Sequence, residues 1–131
     1  MRLPATYMLS ILRIMAGLLF LEHGTSKVLG IPLDPMAHRV VFASLGGLAA
    51  ILELVGGGLL TVGLFTRPTA FILSGEMAFA YFIAHFPHGF YPLLNKGEIA
   101  VLYCFVFLYF SVAGPGALSL DALVSRGKTK A

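Results

Sequence analysis

The chain has 131 residues, of which 58% are hydrophobic and 11% charged, with a mean hydropathy of +0.90. So few charges cannot cover the surface of a soluble domain of this size, and the length allows one domain (1–131), a helix bundle solvated by lipid. The net charge of +3 sits mainly at the ends and in loops, so it bears on orientation in a bilayer, and no nucleic-acid-binding pattern accompanies it.

The first predicted helix covers about residues 7–28 and carries Arg13, then Glu22, His23 and Lys27 near its end. Its start resembles a signal peptide, with Arg2 ahead of an apolar segment. Arg13 interrupts that segment and no small-x-small cleavage site follows, so the helix is expected to be retained. Pro32 and Pro35 mark residues 29–39 as a loop. Helix 2 is predicted over about 40–65, with Glu53 near its centre. Its glycines, Gly46-Gly47, Gly56-Gly57-Gly58 and Gly63, read as close helix-packing surfaces, since the triple glycine lacks the Lys-Ser/Thr of a phosphate-binding loop. Thr66-Arg67-Pro68 reads as a minimal turn with Pro68 in the first turn of helix 3, which makes helices 2 and 3 antiparallel neighbours.

Helix 3 spans about 69–86 with Glu76 inside, and the stretch Pro87 to Pro92 breaks it. Helix 4 spans about 97–113, entered through a capping box with Asn95 as N-cap and Glu98 reaching back, and it stops at Gly114-Pro115-Gly116. Leu118, Leu120, Leu123 and Val124 make about 117–125 a short amphipathic segment on the membrane surface. A basic tail with Arg126, Lys128 and Lys130 follows and suits an anionic membrane surface. The expected fold is therefore all-α: an integral membrane four-helix bundle of antiparallel up-down topology. One side collects Arg2, Arg67, Arg126, Lys128 and Lys130, the other Lys27, Arg39 and Lys96, which favours both termini in the cytoplasm. The loops with His38, His85 and His88 then face outward.

Each of the four apolar stretches carries one glutamate, and a carboxylate at membrane depth is costly enough to need a partner or a task. Counting along the helices places Arg13, Glu53 and Glu76 at similar depths, which predicts an intramembrane ion pair of Arg13 with Glu76, Glu53 or both. A structural clamp is the competing role for these charges. Near the outer surface lie Glu22, His23, Lys27, Lys96 and Glu98, with His85 and His88 as further members. Glu22, His23 and Glu98 are candidates for a proton relay, against which Glu98 has its reading as a helix cap. His85 and His88 do not make a metal site in this reading, because Pro87 ends the helix between them. The aromatics Phe79, Tyr81, Phe82, Phe86, Phe90 and Tyr91 suit either a quinone ring or an interfacial belt. Cys104 is the one cysteine, so the chain has no internal disulfide and no Cys-x-x-Cys centre.

Four stretches carry a resemblance: Arg13-Ile-Met-Ala-Gly17 through Leu21-Glu22-His23-Gly24-Thr25-Ser26-Lys27; Glu53 to Gly58 through Gly63-Leu-Phe-Thr-Arg67-Pro68; Glu76-Met-Ala; and Asn95-Lys96-Gly97-Glu98 with Leu102-Tyr103. In their order and spacing the chain resembles the DoxX family of small membrane proteins over nearly its whole length. The resemblance implies four transmembrane helices in a bacterial inner membrane. It also implies an association with quinone-linked thiosulfate oxidation or with membrane complexes that counter oxidative or thiol stress.

Three functions compete. The first is an oxidoreductase subunit that binds quinone near the outer cluster, with no intrinsic cofactor and a redox partner to carry the electrons. The second is a non-enzymatic scaffold or assembly factor whose glycine faces and loops dock partners or a second copy. The third is a small proton-coupled transporter with Glu53 and Glu76 in its path.

Overall fold

The computed structural model describes residues 4–34 and 40–129, all of whose regular structure is helical. Arg2, His38, Arg39 and Lys130 lie outside the described residues. The helices are α1 (Ala5–Leu29), α2 (Leu45–Val62), α3 (Thr66–Ala80), α4 (Pro92–Asn95), α5 (Glu98–Ala113) and α6 (Leu120–Thr129). After α3 the chain passes through a π-helical turn at Tyr81–His85 and a 3₁₀ turn at Phe86–His88. Three helical runs are long and apolar enough to cross a membrane: Ala5–Leu29, Leu45–Val62 and Thr66–His88. The expected fourth crossing falls on α5, whose 16 residues reach about 24 Å. Two compact units divide the chain, one made of residues up to Thr66 together with those from Pro115 onward, the other Arg67–Gly114.

In the first unit α1 and α2 are antiparallel. A Cβ placed at Gly17 would stand 2.7 Å from the Thr61 amide nitrogen, one at Gly57 2.7 Å from that of Leu21, and one at Gly24 2.5 Å from that of Leu54. Each step up α1 is matched by a step down α2, and at each step a glycine lets the two backbones meet. This register sets Val62, the end of α2, level with about Ala16. Nearly three turns of α1 therefore extend past the end of α2, and the segment after Pro115 packs on them. The Ala117 amide donates to Thr6 O (3.3 Å) and the Leu118 amide to Ser10 Oγ (3.0 Å).

The second unit repeats the arrangement with α3 and α5. Arg67 reaches Ser111 O (3.2 Å) and Val112 O, and Ser74 Oγ donates to Cys104 O (2.8 Å). Near the far end, a Cβ at Gly97 would stand 2.7 Å from the Tyr81 ring.

Several boundaries differ from the sequence expectation, each for a local reason. Helix 2 begins at Leu45 rather than near residue 40. Ser44 is its N-cap, accepting from the Gly47 amide (3.2 Å), and the apolar residues before it form a turn closed by Ser44 N to Val41 O (3.0 Å). Helix 3 begins at Thr66, so Thr66-Arg67-Pro68 is its first turn and the connection is Gly63 to Phe65. Gly63 makes this possible at φ 71°, and Phe65 follows at φ 50°. Asn95 does not cap the last apolar helix. It ends α4 and accepts from the Gly97 amide (2.8 Å), Lys96 takes φ 61°, and Gly97 is the N-cap residue of α5. Asn95 thus makes a tight side-chain turn before the helix, and Glu98 contributes only its charge to the first turn.

The glycine contacts yield a reversal of sign between neighbours. Gly57→Ala should destabilise by about 1–3 kcal/mol through overpacking against Leu21. Gly58→Ala, where a Cβ meets nothing within 4 Å, should stabilise by about 0.5–1 kcal/mol. Thermal midpoints of the protein in detergent would show it, and equal shifts at both positions would refute the close α1–α2 contact.

Candidate functional site

The charged group that pairs within the membrane-crossing part of the first unit is Lys27–Glu53. Lys27 Nζ stands 2.7 Å from Glu53 Oε1, with the Lys27 side chain 33% exposed and that of Glu53 6%. Three residues before Lys27, Gly24 brings α1 onto the backbone of α2 at Glu53 and Leu54. That close approach carries Lys27 to the carboxylate and covers Glu53. The second oxygen, Oε2, is buried and accepts no hydrogen bond among the described residues. Buried polar atoms are nearly always satisfied, by protein, water or ligand, so this oxygen calls for a donor beyond the described residues. The Ser26 hydroxyl, next to Lys27 on α1, is likewise buried without a partner.

Arg13 does not make the ion pair with Glu53 that depth counting predicts. Its guanidinium is fully buried and donates to backbone carbonyls instead: Nε to Pro115 (2.8 Å), Nη1 to Thr61 (2.9 Å) and to Leu60, and Nη2 to Leu118 (2.5 Å). Two of these carbonyls belong to the last turn of α2, where helix carbonyls lack intrahelical partners and the helix dipole is negative. A Cβ at Gly63 would stand 2.8 Å from the guanidinium carbon, so only glycine fits under it. Counting from the start of α1 put Arg13 deep in the bilayer, whereas the register puts it at the level where α2 ends. Glu76 lies on α3 in the other unit, its carboxylate oxygens shielded from solvent.

Asp121, singled out by no sequence motif, completes this end of the first unit. Its carboxylate accepts from the amides of Phe65 (2.8 Å) and Thr66 (2.9 Å), and its own amide donates to Gly63 O (2.9 Å). It serves α3 as an N-cap supplied from a remote part of the chain. Burial alone would raise its pKa, but hydrogen bonds from Thr66 and Phe65 and the charge of Arg13 outweigh that and hold it below the ordinary aspartate value.

The remaining candidates divide between the units. Glu22 and His23 are exposed on α1, with the His23 ring edge-on to Phe20 at 6.5 Å. In the second unit Glu98 is exposed at the start of α5 and lines a shallow groove with Pro92, Val101, Leu102 and Phe105. Lys96 is exposed beside it. His85 stacks on Tyr81 (6.4 Å, 26°), and its Nδ1 lies 3.1 Å from Asn95 O; His88 Nδ1 lies 3.1 Å from Ala84 O. A carbonyl only accepts, so both rings carry their proton on Nδ1 and turn Nε2 outward as acceptor when neutral. Asn95 is buried and holds the turn together, donating to Tyr81 Oη (3.2 Å) and Gly89 O (2.8 Å).

Among the described residues, helical structure throughout with three long apolar helices, buried charges and exposed aliphatic surface defines a multi-pass membrane protein. It belongs to the DoxX family, whose model matches residues 8–86 and so takes in Arg13, Lys27, Glu53 and Glu76 but not Glu98. The chain is 44% identical over 119 residues to an uncharacterized protein of Haemophilus influenzae, covering 88% of this chain and 89% of that one. It is 27% identical over 125 residues to a Bacillus subtilis protein named "Putative oxidoreductase CatD", covering 90% and 87%. No solved structure matches it.

Two tests address this end of the first unit. Arg13→Met should cost about 1–3 kcal/mol for each carbonyl it leaves buried without a donor, and Arg13→Lys should recover only part of that, as read from thermal midpoints. For Asp121 the lowered folded pKa means its stabilisation is present above the ordinary value of about 3.9 and is lost as pH falls through the folded value. The protection factors of the Phe65 and Thr66 amides in hydrogen exchange should therefore fall on acidification below about pH 4. In Asp121→Ala they should be low already at neutral pH. Exchange in that variant as slow as in the parent would remove the capping role.

Proposed function

We propose that the protein is a bacterial inner-membrane subunit of a quinone-linked redox complex. In this reading it is an antiparallel four-helix bundle with both termini cytoplasmic, and Lys27–Glu53 is where it meets the quinone. The observation that carries the reading is the Glu53 carboxylate, one oxygen held by Lys27 and the other buried with no donor among the described residues. Membrane-buried carboxylates are rare and mark ion, proton or ligand sites. A quinol is an apolar, membrane-soluble molecule that brings a hydroxyl donor to such an oxygen. The relation to a protein named as an oxidoreductase points the same way.

Reduction of a quinone takes up two electrons and two protons. The electrons must come from a partner's redox centre, because one cysteine provides neither a dithiol nor a cluster ligand set. Glu53, when protonated, donates to the quinone oxygen; when ionised, Oε2 accepts the hydrogen bond of the quinol hydroxyl. Lys27, a third exposed, links the pair to the surface and would return a proton to Glu53, while the second proton, bound for the opposite ring oxygen, would come from the partner's side. Glu22 and His23, exposed a turn earlier on α1, exchange protons with solvent. Glu98 is a comparable exposed carboxylate in the second unit.

A scaffold is the second reading, and Arg13 favours it: its donors are spent on backbone carbonyls, which is a structural task. Native mass spectrometry of protein extracted gently from its own membranes separates the two. Bound quinone is expected, with occupancy falling at least tenfold in a Glu53→Gln, Lys27→Met double variant that leaves no unpaired buried charge. A preparation carrying only phospholipid, whose double variant still supports its complex, would establish the scaffold instead.

A further inference from the structure

α6 is tied to the rest of the first unit through its first turn. Asp121 ties its first turn to Gly63, Phe65 and Thr66, and the Leu118 amide just before it is held by Ser10. Its apolar side chains are nonetheless partly exposed: Leu120 is 40% exposed, Leu123 61% and Val124 53%, with Leu118 ahead of them at 51%. Positions 120, 123 and 124 share one helix face. Arg126 and Lys128 follow in its last turn, both exposed. The helix's one acidic side chain, Asp121, is already engaged.

The level of this attachment follows from the α1–α2 register. The 18 residues of α2 rise about 27 Å, close to the thickness of a hydrocarbon core. A helix of that length that crosses the core ends near one face of it, and α6 is anchored at Gly63 to Thr66, immediately past the end of α2. A helix fixed near that face with a partly exposed aliphatic side is placed to lie on the bilayer surface. Its two free cations match the phosphates of an acidic leaflet.

We propose that α6 is an interfacial helix that binds anionic phospholipid, its Leu120–Leu123–Val124 face in the acyl boundary and Arg126 and Lys128 on lipid phosphates. This surface is independent of the quinone reading. A basic residue near an anionic leaflet contributes about fivefold in binding. Losing both should lower occupancy by about 25-fold.

The test uses the full chain in nanodiscs of phosphatidylcholine alone or of an equal mixture with phosphatidylglycerol, read by hydrogen exchange over residues 120–129. Protection of α6 is expected in the mixture and is lost in phosphatidylcholine, in high salt and in an Arg126→Gln, Lys128→Gln variant. The amides of α1 report that each sample is folded. Equal protection in the two lipids would overturn the proposal, as would protection that survives in uncharged detergent or depends on protein density. Those last outcomes would mean that the face docks on protein or on a second copy.

Discussion

A guanidinium buried among backbone carbonyls holds together one end of the first helix pair. Arg13 gathers Leu60 and Thr61 from α2 and Pro115 and Leu118 from the returning chain, so three separate segments converge on one side chain. Each charge-assisted bond of this kind contributes about 1.5–3 kcal/mol, and its loss would leave the Thr61, Pro115 and Leu118 carbonyls without this donor in a partly buried place. The position of Asp121 depends on it as well. Arg13 contributes to keeping that carboxylate ionised, and the carboxylate closes the start of α3. Planarity matters here, because a fork of donors reaches several carbonyls at once where an ammonium would not.

The same device recurs in the second unit. Arg67, in the first turn of α3, donates to Ser111 and Val112 in the last turn of α5, and Gly114 at φ 88° lies under its guanidinium as Gly63 lies under that of Arg13. Each unit is thus an antiparallel helix pair in which an arginine of the first helix satisfies the open carbonyls of the second. The logic is forced by lipid. Helix ends near hydrocarbon have little water to hydrogen-bond, so their carbonyls must find donors in the protein. Glycine follows each of these helix ends because the left-handed turn and the nearby guanidinium both exclude a Cβ.

Much of this was legible in the sequence and some of it was not. The apolar runs gave the helices of the first unit and α3, since membrane helices declare themselves through length and composition. Of the glycines of α2 read as packing surfaces, Gly57 does face the α1 backbone at Leu21, whereas Gly58 faces open space and Gly46 meets only the Ser44 hydroxyl of its own cap. Charge partners were another matter. Arg13 looked like one half of an ion pair because sequence shows side chains but not which carbonyls a helix end leaves open. Lys27, placed in an outer cluster, turned out to be the partner of Glu53 because the α1–α2 register, fixed by Gly17, Gly24 and Gly57, could not be counted from helix starts alone. Asp121 escaped notice for the same reason, its hydrogen-bond partners lying more than fifty residues away.

The two buried polar sites of the first unit therefore differ in kind. At the Arg13 end the guanidinium's donors meet carbonyls that the fold itself leaves open. At the Lys27–Glu53 end the tally does not close: one carboxylate oxygen and the neighbouring Ser26 hydroxyl are buried with no hydrogen-bond partner among the described residues. Yet the fold brings Glu53 there deliberately, since Gly24 is what allows α1 to approach Leu54 and cover the carboxylate. A leucine at position 53 would suit the packing without any desolvation cost. The Lys27 ion pair accounts for one oxygen of that carboxylate, and the proposed quinone contact is what would account for the other.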